Sequence, residues 1–240
     1  MTYSNLATYY RPSKNRSIRR SSVIDYIVIH CYVGQVTARR GVDGFAADSA
    51  TASSNYVIGY DGSIGCSVPE EYRAWTTGGT DAAGNPIRVN GISGADIDHR
   101  GITIEVASDT FAPYAITDAA YKSLINLLVD ICKRNNIKEL KWKGDKSLVG
   151  KPDQQNLTVH RWFARKSCPG DYIYERLGKI AEEVNQKMEE KYEGADWSKE
   201  ARDWATSNGI IAGYGDGEYG WGDPVTREQL AVILYRLQSK

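Results

Sequence analysis

A run of apolar residues, VIDYIVIH at positions 23–30, constrains the fold more than any other stretch of the chain. It is rich in β-branched and aromatic residues, which is typical of a buried strand, and it ends at His30. A second stretch, GITIEVAS at 101–108, alternates between apolar and other residues, so Glu105 lies on the opposite face from the isoleucines of that strand. Both stretches predict strands of the main domain.

Turn and helix signals fill the chain between these strands. The stretch SNYVIGYDGSIGCSV, residues 54–68, predicts two strands joined at Asp61-Gly62, a dipeptide typical of tight hairpins. Helices are predicted behind an N-cap at Thr117 and again from Asp171, where apolar residues recur at helical spacing. Strands that alternate with helices predict an α/β fold with a mixed central β-sheet flanked by helices.

The composition of the chain changes near residue 191. We therefore predict a main domain over residues 1–178, a helical linker over 179–195 and a small α-helical C-terminal module over 196–240.

The small module has its own helix signals. One helix should end at Gly209, and a second should begin at a capping box formed by Thr226 and Gln229. A unit of about 45 residues has a marginal core, so it needs a partner, either the main domain or a second copy of the chain. The apolar stripe of the first helix is expected to contain Trp197, Ala201, Trp204 and Ala205.

Composition excludes several classes of partner. Thirty basic residues balance thirty acidic residues, so no overall positive field favours nucleic acid or an anionic membrane. No apolar run is long enough to span a membrane or to act as a signal-peptide core, so we expect synthesis in the cytoplasm without a signal peptide and no membrane insertion. Four cysteines in 240 residues are too few for a disulfide scaffold, which indicates a reduced protein.

Histidine and cysteine occur together in VHRWFARKSCPGDY, where His160 and Cys168 are eight positions apart. A neutral imidazole and a thiolate are preferred zinc ligands, and a catalytic zinc has three protein ligands with one open position. His30, at the end of another predicted strand, is the candidate third ligand. The segments 33–53 and 76–100 are predicted to be long loops around this site.

The same residues allow a second interpretation. Cys168 could be a nucleophile activated by His160, because Cys–His pairs also catalyse acyl transfer. His99 lies in a polar stretch and is predicted to be a surface histidine. The remaining cysteines are predicted to be small buried hydrophobic residues: Cys31, Cys66 and Cys132.

Five segments in order resemble a known family. They are IDYIVIHCYVGQ, SSNYVIGYDGSI, RAWTTGG, GITIEVAS and HRWFARKSCPG. Together they resemble the zinc-dependent N-acetylmuramoyl-L-alanine amidases of the type-2 amidase and peptidoglycan recognition protein family, particularly those of phage endolysins. The resemblance covers about residues 15–178 and implies a peptidoglycan recognition protein-like fold.

The resemblance also implies a reaction and a set of catalytic residues. One zinc ion would be held by His30, His160 and Cys168, and the bond hydrolysed would be the amide between N-acetylmuramic acid and L-alanine in peptidoglycan. Glu105 matches the family's glutamate, which would deprotonate the attacking water and later protonate the leaving amine. Lys166 matches the family's lysine, which would stabilise the oxyanion of the tetrahedral intermediate.

Three further residues are predicted to contact the substrate. Trp75, in RAWTTGG, is expected to line the groove beside the zinc. Ser54 and Asn55 occupy the position where some relatives have a catalytic tyrosine, whereas Tyr56, the next residue, should point to the opposite face. The acid–base role is therefore assigned to Glu105.

The C-terminal module resembles a single S-layer homology (SLH) repeat. The resemblance is carried by Trp204, the stretch NGIIAGYGDG, a proline and the TRE that opens the second helix. It implies binding of a secondary cell-wall polysaccharide through Trp204 and Arg227. Because members of that family usually have three repeats in tandem, the single repeat could instead be a homodimerisation module.

These features together predict a modular peptidoglycan amidase, most simply a phage or prophage endolysin that reaches the cell wall when the membrane is breached during lysis. The alternative from another class is a non-catalytic recognition protein that only binds peptidoglycan in the same groove. Peptidoglycan is the expected partner of either protein, and no nucleic acid is expected.

Overall fold

Strands account for the centre of the molecule. The computed structural model describes residues 2–189, 194–213, 219–223 and 225–238. In these ranges ten strands, β1 to β10, run in chain order over Tyr9–Tyr10, Arg16–Ile18, Tyr26–Cys31, Tyr56–Ile58, Ile64–Cys66, Tyr72–Ala74, Arg88–Val89, Ile92–Ser93, Gly101–Val106 and Leu157–Thr158.

Six of these strands form one mixed sheet in the order β1-β5-β4-β9-β3-β10. Only β4 and β5 pair antiparallel in this sheet, and every other neighbouring pair is parallel. Strand β3 is buried along its whole length, and its parallel register with β9 sets His30 beside Glu105. The predicted mixed sheet and buried central strand are therefore confirmed.

Helices cover the sheet and form the C-terminal part of the chain. Among the described residues, helices α1 to α7 run over Ala38–Ala46, Gly94–Arg100, Asp118–Arg134, Asp171–Tyr174, Leu177–Glu189, Lys199–Ser207 and Arg227–Gln238. Thr117 caps α3 by accepting a hydrogen bond from the Ala120 backbone N–H, as the sequence predicts. No helix in the described ranges is both long enough and apolar enough to cross a membrane.

The local predictions are partly confirmed. Strands β4 and β5 form the predicted hairpin, in which Gly62 adopts a positive φ of 80°. The segments 33–53 and 76–100 are not simply loops, because they contain α1 and α2. Neither helix was predicted, since each is at most nine residues long and few of its residues are apolar.

The chain divides into two compact units, Met1–Met188 and Glu189–Lys240. This boundary differs from the predicted domain end at residue 178. Residues 179–188 belong to α5 and are not a linker, because Ile180, Ala181 and Val184 are buried in the hydrophobic core of the first unit.

The second unit is small and sparsely packed. Thr226 and Gln229 exchange the two hydrogen bonds of the predicted capping box, at 2.8 and 3.1 Å. The predicted apolar stripe is not buried as a whole, since Trp197 is 89% exposed and Trp204 is 53% exposed. In the described part of this unit the buried hydrophobic residues are Ala205 and Ile210.

Candidate metal centre and adjoining groove

Three potential metal ligands converge at one end of the central sheet. His30 lies near the end of β3, His160 follows β10 at the start of a short 3₁₀ helix, and Cys168 lies in the loop before α4. Their ligand atoms are all within 4.8 Å of one another. The Cys168 Sγ atom is 3.3 Å from Nδ1 of His30. The structure therefore brings together the residues that the sequence singled out as zinc ligands.

The two imidazoles are held in the form that binds a metal. Burial lowers the pKa of His160 to about 4, partly offset by a hydrogen bond to the backbone of Gly78. Burial and the neighbouring His160 also lower the pKa of His30 well below its ordinary value. Both rings are consequently neutral at physiological pH, and a neutral imidazole has the free lone pair that a metal ligand requires.

Unpartnered atoms at the site fit a metal ion. The Nε2 atom of His160 is buried and has no hydrogen-bond partner among the described residues. Such an atom is costly in a folded protein unless another group satisfies it. In a tetrahedral zinc site with the usual bond lengths, sulfur and nitrogen ligands lie about 3.5 Å apart. The donor set of two imidazoles and one thiol, with its observed spacing, therefore suits zinc.

Cys168 has a second thiol beside it. The side chains of Cys31 and Cys168 share a hydrogen bond, which together with burial raises the pKa of Cys168 well above its ordinary value. Cys31 is buried, as predicted, but it is not simply a hydrophobic residue because it contacts this ligand. Cys66 and Cys132 are buried as predicted, and neither forms a disulfide.

Glu105 lies beside the ligand cluster. Its Oε1 atom is 4.0 Å from Nδ1 of His30, and its Oε2 atom is buried and has no hydrogen-bond partner in the described part of the chain. Burial, and then the nearby Cys31, raise the pKa of Glu105 well above its ordinary value. A carboxyl group with a raised pKa and an unpartnered oxygen is suited to exchange protons with a reacting molecule.

A groove of about 550 Å³ opens onto the ligand cluster through His160. Trp75, which is 41% exposed, lies in its wall, and Lys166 contributes an exposed ammonium group. Both residues therefore lie where the sequence predicted them, and their contacts with a substrate stay predictions. The remaining lining includes Thr76, Gly78, Gly79, Asp98 and two arginines, Arg73 and Arg165.

Ser54 and Asn55 do not lie in this groove, contrary to the prediction that they bind substrate. Both are fully buried. The Ser54 hydroxyl donates to the Thr103 carbonyl oxygen, and the Asn55 Oδ1 atom accepts the Thr103 backbone N–H. Their side chains therefore join the segment before β4 to β9. Tyr56 points away from the site, as predicted, and its hydroxyl donates to Glu70.

The prediction for His99 is also wrong. His99 is 6% exposed, and its Nδ1 atom accepts the backbone N–H of Arg20. Sequence reasoning missed two residues next to the site, Thr77 and Asp98. Thr77 Oγ1 lies 3.5 Å from Nε2 of His30, and the buried carboxyl group of Asp98 accepts the backbone N–H of Thr77. The only sequence signal was their position in a polar segment after Trp75.

The second unit has a separate cavity of about 470 Å³. Trp204 and Arg227, the predicted wall-binding residues, are exposed but do not line it. The cavity is lined by apolar and aromatic residues together with a few charged groups, among them Ile210, Tyr219, Trp221, Val232, Glu228 and Arg236.

The fold and the site together define a mixed α/β protein with three potential metal ligands at the mouth of a groove. The sequence profile of the N-acetylmuramoyl-L-alanine amidase family matches residues 20–171, more than half of the chain, and the chain belongs to this family. Residues 194–231 match the profile of the S-layer homology domain. No curated protein matches the chain in the corresponding comparison.

Several solved structures are similar to this chain. A selenomethionine derivative of AmpD is 20% identical with a TM-score of 0.51, over 75% of this chain and 96% of that chain. The Drosophila peptidoglycan recognition protein SA is 17% identical with a TM-score of 0.48, over 70% of this chain and 85% of its own. The amidase LysC from Clostridium intestinale URNW is 16% identical with a TM-score of 0.41, over 71% and 95%. The AmpD match supports the assignment of the fold.

Proposed function

We propose that the protein is a zinc-dependent N-acetylmuramoyl-L-alanine amidase that hydrolyses the bond between N-acetylmuramic acid and L-alanine in peptidoglycan. The observation that carries the proposal is that the ligand atoms of His30, His160 and Cys168 lie within 4.8 Å of one another, while no described residue forms a hydrogen bond with the His160 Nε2 atom. Membership of an amidase family supports the choice of reaction.

Each residue of the site has a role in this reaction. When bound by the three ligands, zinc supplies Lewis acidity toward a carbonyl oxygen and toward water. Glu105 accepts the proton of the attacking water at its free Oε2 atom and later returns a proton to the leaving amine of L-alanine. Lys166, on the groove wall, donates to the developing oxyanion, and Trp75 packs against the substrate.

A cysteine-peptidase mechanism is less consistent with the site. A nucleophilic cysteine requires a lowered pKa, because the thiolate is the reactive form. Here the hydrogen bond with Cys31 and burial raise the pKa of Cys168. The imidazole nitrogen within hydrogen-bond distance of the Cys168 sulfur is Nδ1 of His30, and the pKa of His30 is also lowered. The contact between Cys168 and His30 therefore favours the neutral thiol of Cys168 over the reactive thiolate.

The proposal is tested by measuring zinc content together with the release of L-alanine amino termini from peptidoglycan. We expect one zinc per chain, loss of hydrolysis on chelation and recovery when zinc is returned. Glu105→Gln should keep the zinc and lower the rate by roughly 100- to 10,000-fold, the usual contribution of a general acid–base group. Zinc binding without hydrolysis would favour the recognition protein, and hydrolysis without zinc that is blocked by thiol alkylation would favour the cysteine peptidase.

The role of the second unit and the site of action belong to the same proposal. The S-layer homology match supports binding of a secondary cell-wall polysaccharide, with Trp204 and Arg227 as the exposed candidates. We further propose an endolysin that is made in the cytoplasm and reaches the wall during lysis. Binding of the Trp204→Ala variant to purified walls, with and without their polysaccharide, tests the first point. A homodimer is a competing role, which sedimentation of the whole chain would detect.

A further inference from the structure

The two nitrogens of the His30 ring have different neighbours. Nδ1 lies 3.3 Å from Cys168 Sγ and 4.0 Å from Glu105 Oε1, so this nitrogen faces the ligand cluster. Nε2 lies on the other side of the ring, 3.5 Å from Thr77 Oγ1. If Nδ1 gives its lone pair to a metal, the single proton of the neutral ring must be on Nε2, where it points at the Thr77 hydroxyl.

A buried carboxyl group lies beside the Thr77 side chain. It belongs to Asp98, which is 1% exposed and whose two carboxyl oxygens both accept the Thr77 backbone N–H, at 3.2 and 3.1 Å. The same carboxyl group accepts the backbone N–H group of Thr76, at 3.1 Å. If the Thr77 hydroxyl donates its only proton to this carboxyl group, its lone pairs remain free to accept the Nε2–H group of His30.

Backbone packing fixes this arrangement in place. Asp98 lies on α2, whose start is held by a capping box between Ser93 and Asp96. Gly94, in the first turn of α2, lies so close to the Thr77 segment that a Cβ atom there would be 2.2 Å from the Thr77 carbonyl oxygen. Thr77 is therefore packed between α2 and the His30 ring. This packing restricts rotation of its side chain.

We propose that Thr77 and Asp98 are positioning residues for the metal, forming a carboxylate–hydroxyl–imidazole relay that orients His30 and keeps its proton on Nε2. Outer partners of this kind fix the orientation of a metal-binding histidine and increase its basicity as a ligand. The relay rests on the proposed function only in taking His30, His160 and Cys168 as a zinc site. Neither residue has to touch the substrate for the relay to act.

The test measures zinc affinity directly, by competition with a chromogenic chelator, in the full chain. Thr77→Val keeps the shape of the side chain but removes its hydroxyl, and it should weaken zinc binding by about 10- to 100-fold. Thr77→Ser restores a hydroxyl and should recover most of the affinity. The visible spectrum of the cobalt-substituted protein should change in Thr77→Val and remain close to that of the unmodified protein in Thr77→Ser.

Thr158→Val is the matched control, because it makes the same change at another buried threonine. Within the described ranges the Thr158 hydroxyl has no hydrogen-bond partner, and Thr158 is 1% exposed on β10. Its removal should leave zinc affinity and the cobalt spectrum unchanged. Asp98→Asn is expected to weaken zinc binding in the same direction as Thr77→Val. If Asp98→Asn fails to fold, the comparison of Thr77→Val with Thr77→Ser still tests whether the Thr77 hydroxyl supports zinc binding.

The outcomes separate the relay from the proposed reaction. Zinc binding by Thr77→Val as tight as that of the unmodified protein would overturn the relay, as would equal losses in the valine and serine variants. Zinc binding without release of L-alanine termini would contradict the proposed reaction. The ratio of zinc affinities between Thr77→Val and the unmodified protein would still test the relay. Absence of zinc binding by the unmodified protein would overturn both.

Discussion

Two neighbouring thiols differ in what they can do for a metal. Cys31 and Cys168 share a hydrogen bond, but only Cys168 belongs to the cluster of ligand atoms that lie within 4.8 Å of one another. Both are free cysteines. Their proximity makes one thiol the natural control for the other.

We expect Cys168→Ser to weaken zinc binding by more than the roughly 100-fold that follows loss of an outer partner, because a direct ligand is removed. Cys31→Ser should keep the zinc, since its side chain contacts a ligand without being one. Zinc content after dialysis against a weak chelator measures both variants. Equal loss in the two variants would mean that Cys31 also binds the metal.

At the scale of single residues, the sequence predicts the candidate metal ligands better than it predicts the residues that surround them. His30 and His160 could be assigned because His30 lies near the end of one strand and His160 just after another, and the ends of parallel strands meet at one edge of a sheet. Ser54 and Asn55 could not be assigned correctly. Their burial depends on Thr103, which comes beside them only when β9 pairs with β4.

Helix α2 is only seven residues long, but it positions several groups next to the candidate metal site. It contains Asp98 and packs its first turn against the Thr77 segment. The hydrophobic alternation of β9 and the hairpin signal at Asp61-Gly62 were sufficient to predict those strands. Helix α2 was missed because Ile97 is its only large apolar residue, so its stability depends on the capping box and on packing.

Two glycines near helix N-termini give opposite predictions for alanine. Gly94→Ala should destabilise the protein by about 1–3 kcal/mol, the usual cost of overpacking, because its Cβ atom would collide with the Thr77 carbonyl oxygen. Gly178→Ala, in α5, meets only an ordinary 3.8 Å contact with Trp142 and should stabilise by about 0.5–1 kcal/mol.

Urea unfolding of the metal-free variants provides the measurement. The prediction for Gly94 is contradicted if its alanine variant unfolds at the same urea concentration as the unmodified protein. Zinc affinity should also fall in Gly94→Ala, because the displaced segment carries Thr77, and it should not change in Gly178→Ala.

For the whole molecule, the position at which the first unit ends matters. A chain ending at Met188 keeps the complete core of the first unit, whereas one ending at Gly178 loses Ile180, Ala181 and Val184 from that core. Composition alone placed the boundary too early. The apolar spacing of α5 predicts a helix, but it does not show which part of the protein that helix packs against.

We expect the chain ending at Met188 to fold, to bind zinc and to hydrolyse a small soluble muropeptide at the rate of the full chain. Its binding to intact walls should fall, since it lacks the region similar to an S-layer homology domain. The chain ending at Gly178 should lose several kcal/mol of stability, at about 2–5 kcal/mol for truncation of each large buried aliphatic side chain. Circular dichroism during heating distinguishes the two. Equal melting of both chains would show that α5 is dispensable.

The spacing of the metal ligands along the chain also has a consequence for synthesis. Cys168 and His30 are 138 positions apart, and β10, which carries the chain to His160, pairs at the edge of the sheet against β3. During translation, His30 leaves the ribosome long before either of its co-ligands. If the three residues bind zinc as proposed, a nascent chain has no complete site until nearly all of the first unit has been made, and capture of the ion would then report that this stage of synthesis has been reached.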